Sequence, residues 1–542
     1  MVCQLDELQK CAKLSELREA LKVLPKTLDA TYERILLKID EVCRGDVQKV
    51  LLALTFSKRP LTLEEVVEIL AVTFEGGPRF DPEQRYPEPR DILTRCSSLV
   101  SLSAPSSGNN PVEGQLQLAH FSVKEYLISD RIRDGPAHQY GVTQRCADIF
   151  IAQACLAYLL QFQTPDCLVE SMTKDFPLAV YASGYWIDHA SPHDDTNSNE
   201  LHSLILELFQ PSRVHYLHWS QIYFEKSNRT HGVFVPFDYV HKYSVILPLY
   251  HTSDAGMTQT SRLLLENGAD PNAQCGWYGN ALQAASLKGH HSIVQLLLDK
   301  GADPNAHHTK IGSALCAAAH KGHVSIVKLL LDRGADPNVA SRWYGNALQA
   351  ALWDKSETIV QLLLDKGADP NAHHTEIGSA LCAVTHEEPE SIVKLLLDRG
   401  ANPNAHHTGI GSALCTAAYK GHVSIVKLLL DRGADPNVAD RLYGNALQAA
   451  SWNTNETIVQ LLLDKGADPN AQGGYYGNAL QAASLNGHEV IVQLLLDKGA
   501  DPNAQGGYFG NALHAASLKG HKVIVQLLLQ KGAISHNNLF NA

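Results

Sequence analysis

Residues 466–498 read GADPNAQGGYYGNALQAASLNGHEVIVQLLLDK, and they divide by chemistry into turn, helix, turn and helix. The side-chain oxygen of Asn478 is suited to cap a first helix, and Ala479 to Ala483 give that helix a small-residue face that a neighbour can approach closely. Gly487 supplies the positive φ that ends it. Ile491, Leu494 and Leu495 then set the i, i+3, i+4 apolar stripe of a second helix. The unit is not alone. Glycine followed by alanine recurs at 268, 301, 334, 367, 400, 433, 466, 499 and 532, a constant spacing of 33 residues. A period of that length means stacked supersecondary units, each burying its apolar face against its neighbours.

The A-L-x-A-A, G-H, I-V-x-L-L-L and G-A-D-x-N words of this unit resemble the ankyrin repeat, which implies helix-turn-helix units joined by hairpin fingers. The fold class expected is mainly α. A winged-helix-like module (1–135) and a helical connector (136–245) lead into a solenoid of one worn repeat (246–267) and eight full ones with a stub (268–542). The worn repeat is read from LPLYHTSDAGMTQTSRLLLENGAD, which places Leu249 one period before Leu282. Where the family opens its first helix with T-P-L-H, this chain has Asn or Ser, then Ala-Leu, then Gln or Cys; only repeat eight ends that word in His514. The caps survive the change, but the hydrogen bond that the resemblance assigns to the histidine is in question at Cys316, Cys382 and Cys415. The Gly-His turn is also replaced, by Lys355-Ser356, Glu388-Pro389 and Thr454-Asn455 in repeats three, four and six. If positive φ persists there, each non-glycine costs about 1 kcal/mol or more, so repeats three to six are expected to be looser than one, seven and eight.

Histidine pairs precede a cysteine in three repeats: His307, His308 and Cys316; His373, His374 and Cys382; His406, His407 and Cys415. A metal site is one reading, and His373, His374, His406 and His407 stand in adjacent repeats. Against it, VSIVKLLLDRGADPNVA recurs at 324–340 and 423–439, so a block of 99 residues was copied and the pairs came with it. The cysteines also belong to a helix beyond the finger. We expect no metal and no cofactor. In DHASPHDD, Pro192 is expected to keep His189 and His193 off a common helix face.

The internal copies separate scaffold from surface. The residue before the finger glycine is always apolar (Tyr278, Ile311, Tyr344, Ile377, Ile410, Tyr443, Tyr476, Phe509) and is expected to point inward. One residue earlier the copies vary freely, as they do near the end of the first helix. Fingers and first helices line the surface with which ankyrin proteins hold partners. The aromatic members of the two variable columns, Trp277, Trp343, Tyr475 and Tyr508 on the fingers and Trp353, Tyr419 and Trp452 on the helices, are therefore the candidate partner-binding residues.

In the first half, ALKVLPKTLDATYERILLKI (20–39) predicts a helix after Pro25, and SKRPLTLEEVVEIL opens a second with Thr62 and Glu65 as a capping pair. CSSLVSL and QLQLAHF predict a hairpin, and a third helix follows with Ser122 and Glu125 as its capping pair. Helices with a two-stranded wing suggest a winged helix. LPKTLDATYERIL, SKRPLTLEE and LAHFSVKEYL resemble the segment that follows the NACHT nucleotide-binding domain in fungal NLR-like (STAND) proteins. FPLAVYASGYWIDHA (176–190) resembles their connector to ankyrin repeats. That resemblance implies a receptor in which the repeats sense a partner. No G-x-x-x-x-G-K-[ST] occurs, so the phosphate cradle is missing and a receptor lacking its NACHT domain is expected. His120, which the resemblance sets beside nucleotide, is expected to make a local hydrogen bond instead.

The net charge of -12 and pI near 6.1 leave no basic footprint, which argues against direct nucleic-acid binding. The longest apolar stretch, from Ile149, is too short and interrupted to span a bilayer, and no secretory signal opens the chain. Eleven scattered cysteines without C-x-x-C fit reduced thiols inside a cell, cytoplasmic or nuclear. No G-x-S-x-G or H-E-x-x-H is present. The expected function is a non-enzymatic interaction scaffold with a protein partner and no small-molecule substrate. The alternative is a nuclear ankyrin-type transcriptional coregulator acting through protein contacts.

Overall fold

The computed structural model describes residues 13, 27–103, 114–162, 175–195, 199–210, 214–231, 247–275, 279–308, 312–375, 378–386, 389–407, 411–439 and 443–534. The chain divides into two compact units, Met1–Asp270 and Pro271–Ala542.

The first unit opens with α1 (Leu28–Leu37), whose N-cap Thr27 accepts from the Ala30 N–H, and continues with α2 (Arg44–Phe56). The sequence reading missed α2, although Val47, Val50 and Leu51 have helical spacing and are fully buried. Next come β1 (Leu61–Thr62) and α3 (Leu63–Leu70). Thr62 and Glu65 form the expected capping box, with bonds of 3.2 and 2.9 Å. The wing pairs Val100–Leu102 with Gln115–Leu118 in the register Val100↔Leu118, and β1 joins its far edge to make three strands. Three helices and this sheet are a winged helix, with α3 in the place of a groove-reading helix. Most of α3 is buried, however, and two of its three carboxylates are held, Glu65 by Arg59 and Glu68 by Arg85 (2.9 Å).

The third predicted helix, α4 (Phe121–Ile128), forms, but its cap differs from the expectation. His120, not Ser122, is the N-cap: its Nδ1 accepts from the Ser122 N–H at 3.2 Å. The Ser122 hydroxyl lies 2.7 Å from both His120 Nδ1 and the Tyr32 hydroxyl, so it is committed elsewhere. A local hydrogen bond is thus what His120 makes.

The connector helices α5 (Gln144–Leu159), α6 (Ala179–Ala190), α7 (Asn199–Leu208) and α8 (Val214–His231) follow. Pro192 does keep His189 and His193 off a common helix face. His189 ends α6 and His193 closes the 3₁₀ turn after it, yet both reach one buried carboxylate: His189 Nδ1 to Asp148 Oδ1 at 2.6 Å and His193 Nε2 to Asp148 Oδ2 at 3.3 Å. The proline alters the helix without separating the imidazoles, because Asp148 bridges them from α5. Tyr181 and His189 Nε2 are 2.9 Å apart, so both imidazole nitrogens are engaged. Burial lowers the His189 pKa despite the carboxylate.

The worn repeat, α9 (Pro248–Asp254) and α10 (Thr258–Glu266), lies within this first unit. Asp194 caps α10 from the connector, accepting from the N–H groups of Gln259 (2.5 Å) and Thr260 (3.2 Å) and from the Thr260 hydroxyl (2.5 Å). His251 of α9 packs its ring 4.7 Å from Trp219 of α8.

The second unit is the solenoid. In repeat seven the helices are Ala479–Asn486 and Glu489–Asp497, with Gly487 between them at φ 82°. A Cβ there would also come within 2.7 Å of the His521 ring, which donates to the Leu485 carbonyl at 3.1 Å and ties repeat eight to seven. The G-A-D-x-N word forms a ladder along the stack. Each asparagine amide donates to a glycine carbonyl one repeat on, as Asn437 does to Gly466 at 3.0 Å, and its oxygen accepts from the Asp468 N–H at 2.7 Å. The same pair of bonds runs from Asn272 through Asn503. A second ladder joins the ends of the second helices, as in Arg399–Asp365 (2.6 Å) and Lys465–Asp431 (2.8 Å). These pairs are solvent-exposed, so the asparagine bonds, which satisfy backbone groups, set the register.

Lys355 and Thr454 do adopt positive φ, 56° and 59°, as the replaced Gly-His turns require. Glu388 lies outside the described residues. Repeat four carries a first helix of only five residues, Ala380–Val384, against eight in repeat seven.

Candidate functional site: the finger and first-helix surface

Two side-chain devices hold the fingers. In repeats one and three the cap and the residue three on form a complete box: Asn346 Oδ1 accepts from the Gln349 N–H, and Gln349 Oε1 accepts from the Asn346 N–H at 2.9 Å. The Gln349 amide nitrogen donates onward to the carbonyls of Ala372 (3.2 Å) and Gly378 (2.5 Å), clamping the finger of repeat four. Gln283, Gln448 and Gln481 do the same for the fingers that follow them. In the cysteine repeats, Cys316 Sγ donates to Val339 O at 3.6 Å and Cys382 Sγ to Ala405 O at 3.2 Å, the same carbonyl 23 residues on. The histidine's bond is therefore carried by glutamine, or by a weaker thiol, while His514 turns back to Phe509 O within its own repeat (2.8 Å).

This explains why the cysteines do not join the histidine pairs. Cys316, Cys382 and Cys415 are buried, and the Cys316 and Cys382 thiols point at backbone carbonyls. Of the four imidazoles in repeats four and five, His373 and His407 approach each other, with ring centroids 5.6 Å apart, and His407 Nε2 donates to Thr375 O at 2.9 Å. Among the described residues no group of three or more His, Cys, Asp or Glu side chains is arranged to hold a metal ion.

Three described members of the apolar finger column face the stack, though not its helical core. Tyr344, Tyr443 and Tyr476 are half-buried, each lying flat on the first-helix end of the preceding repeat: Tyr344 on His320 (4.3 Å), Tyr443 on Tyr419 (4.6 Å) and Tyr476 on Trp452 (4.0 Å). Tyr278, Ile311, Ile377 and Ile410 lie outside the described residues. Sequence comparison of columns could not show this, because the two members of each stack come from different repeats.

These stacks place the candidate residues. Tyr419 and Trp452 are half-buried beneath Tyr443 and Tyr476. Trp353 is 62 % exposed and Trp343 49 %, and Trp353 meets the edge of His320 at 6.0 Å. Tyr475 and Tyr508, 56 % and 74 % exposed, stack at 5.5 Å with their planes 12° apart. Tyr475 and Tyr508 also touch Tyr476 and Phe509 edge-on, so Trp452, Tyr476, Tyr475, Tyr508 and Phe509 form one continuous run of rings. Trp277 lies outside the described residues.

Stacked helix pairs with hairpin fingers, an asparagine ladder and an aromatic finger surface define an ankyrin solenoid, a class built for protein-protein interaction. The chain belongs to the ankyrin repeat family: the family model described as ankyrin repeats (3 copies) matches residues 246–308, 306–374, 380–473 and 474–539, just over half of the chain. Residues 32–139 match the winged helix domain of GPI inositol-deacylase. Among curated proteins, the chain is 38% identical over 287 residues to azaphilone pigments biosynthesis cluster protein L of Monascus ruber. That alignment covers 50% of this chain and 59% of the relative, so the chain spans about three fifths of that relative's length. Among solved structures it is similar to the human ASB11 ankyrin repeat domain, at 23% identity and a TM-score of 0.36, covering 41% of this chain and 99% of that one. Among the described residues no helix is long and apolar enough to cross a membrane.

Proposed function

We propose that this chain is a non-enzymatic, intracellular interaction scaffold that grips a protein partner with the fingers and first-helix ends of its ankyrin repeats. The observation that carries this reading is the aromatic surface itself: Trp343, Trp353, Tyr475 and Tyr508 stay exposed while their neighbours are stacked and held by cross-repeat hydrogen bonds. Rigid aromatic groups that lose little entropy on binding make effective anchors.

The winged-helix match supports kinship with NLR-like receptors. The coregulator alternative gains nothing from α3, whose Glu65 and Glu68 are buried and paired with arginine. The relative named for a pigment biosynthesis cluster favours a second reading, in which the scaffold serves a biosynthetic assembly.

Cross-linking of the full chain in cells, followed by mass spectrometry, tests the proposal. Cross-linked partners should be lost when Trp343, Trp353, Tyr475 and Tyr508 are all changed to Ala. Partners retained in full by that variant, or nucleotide hydrolysis by the purified chain, would overturn it.

A further inference from the structure

The second helices of repeats seven and eight, Glu489–Asp497 and Lys522–Gln530, flank an open groove of about 580 Å³. Its apolar lining is the half-buried Leu494 and Leu527 with Val490 and Val523, each more than half exposed. Repeats one to six carry Ser or Thr where the two valines stand (Ser292, Ser325, Thr358, Ser391, Ser424, Thr457), so this apolar strip is confined to one pair of repeats. No finger or first-helix residue lines the groove.

The charges change in step. The last residue of the second helix is Asp in repeats one to seven, as at Asp464 and Asp497, but Gln530 in repeat eight. Where repeat seven has Glu489, repeat eight has Lys522, and both are exposed. Asp497 is engaged by Lys531 at 2.8 Å and by the Gln493 amide at 2.7 Å. A surface that meets its own copy about a two-fold axis presents the same patch from both sides. With that axis parallel to the two helices and between them, each residue of repeat seven faces its equivalent, 33 positions on, in the other copy. Val490 then meets Val523, Leu494 meets Leu527, Asp497 meets Gln530, and Glu489 comes within reach of Lys522. The same arrangement at repeats six and seven would set Asp464 against Asp497 and Glu456 against Glu489, and like charges so placed oppose association. An axis across the helices would turn Glu489 of one copy towards Asp497 of the other, with the same penalty.

We propose that two copies of this chain associate through the groove, the second helices of repeats seven and eight packing against the same helices of the other copy. The strip is its own complement in apolar shape and in charge, which selects a second copy over an unrelated helix. Nine residues a side line the groove, against about 20–30 in a stable interface, so the dimer is weak and forms as concentration rises. The scaffold reading does not depend on it, since no finger residue takes part.

Sedimentation equilibrium of the purified full chain over a rising concentration series tests this. A monomer–dimer equilibrium should appear, and should be lost in Val490→Asp/Val523→Asp. Glu489→Lys and Lys522→Glu should each weaken it about tenfold or more, and the double reversal Glu489→Lys/Lys522→Glu should restore it. All four side chains are exposed, and circular dichroism checks that the variants fold. A monomer at every concentration, a dimer untouched by the valine variant, single reversals without effect, or a double reversal no tighter than the single ones overturns the inference. So does occupation of the groove by a different protein, seen as cross-links in cells that vanish in Val490→Asp/Val523→Asp while the purified chain stays monomeric.

Discussion

Replacing Gln349 by Ala removes three bonds at once: Oε1 from the Asn346 N–H and Nε2 to the carbonyls of Ala372 and Gly378. Each is worth about 1 kcal/mol net, but the Asn346 Oδ1 bond to the residue 349 N–H does not depend on the side chain and survives. The loss should therefore be about 2 to 3 kcal/mol at the junction of repeats three and four, equivalent to about 30- to 160-fold in a local opening constant. The finger of repeat four carries its own reporters, since the His374 N–H donates to Gly378 O and the Gly378 N–H to His374 O, at 3.1 and 2.8 Å. Amide exchange at these two sites should accelerate by that factor in Gln349→Ala, while Gly506 in the finger of repeat eight, bonded to Gly510, stays unchanged. Gln349→Cys should fall between Ala and wild type, because Cys382 shows a thiol reaching the equivalent carbonyl at 3.2 Å. Unchanged exchange at His374 and Gly378 in Gln349→Ala would refute the clamp.

Lys355→Gly and Thr454→Gly should each stabilise the solenoid by about 0.5 to 1 kcal/mol, the left-handed strain relieved less the entropy of glycine, read as a higher urea midpoint. Amide exchange across all repeats should show three to six less protected than one, seven and eight; equal protection would contradict the effect of the altered turns and the short helix in repeat four. The first unit should lose stability in acid. Burial lowers the His251 pKa to about 3, and its Nε2 has no hydrogen-bond partner. The unfolded chain then takes up a proton below its ordinary value near 6.5 that the folded chain does not. This share of stability is complete above about pH 6.5 and drains as pH falls towards 3, by about 2 kcal/mol at pH 5. Fluorescence of Trp219, against which His251 packs, should report an acid transition that His251→Phe shifts to lower pH.

The 33-residue period, the caps at Asn and Ser and the apolar stripes were legible without coordinates, because each is a local property: a helix of this kind is specified by spacing and end residues within a dozen positions. The same holds for Thr62 with Glu65 and for the hairpin around Val100 and Leu118. The positive φ at Lys355 and Thr454 followed from alignment of the copies alone.

What the chain order hid are pairings between residues that belong to different repeats or different helices. Gln349 looks like an ordinary polar helix residue until the next finger supplies two carbonyls, and Tyr476 looks like core until Trp452 is found beneath it. Asp148 gathers His189 and His193 from the far side of a proline, and His120 displaces Ser122 as a cap because Tyr32, 90 residues earlier, lies against that hydroxyl. A sequence specifies its own helix ends through neighbours along the chain; which donor meets which acceptor across repeats is fixed only when packing sets the distance between them.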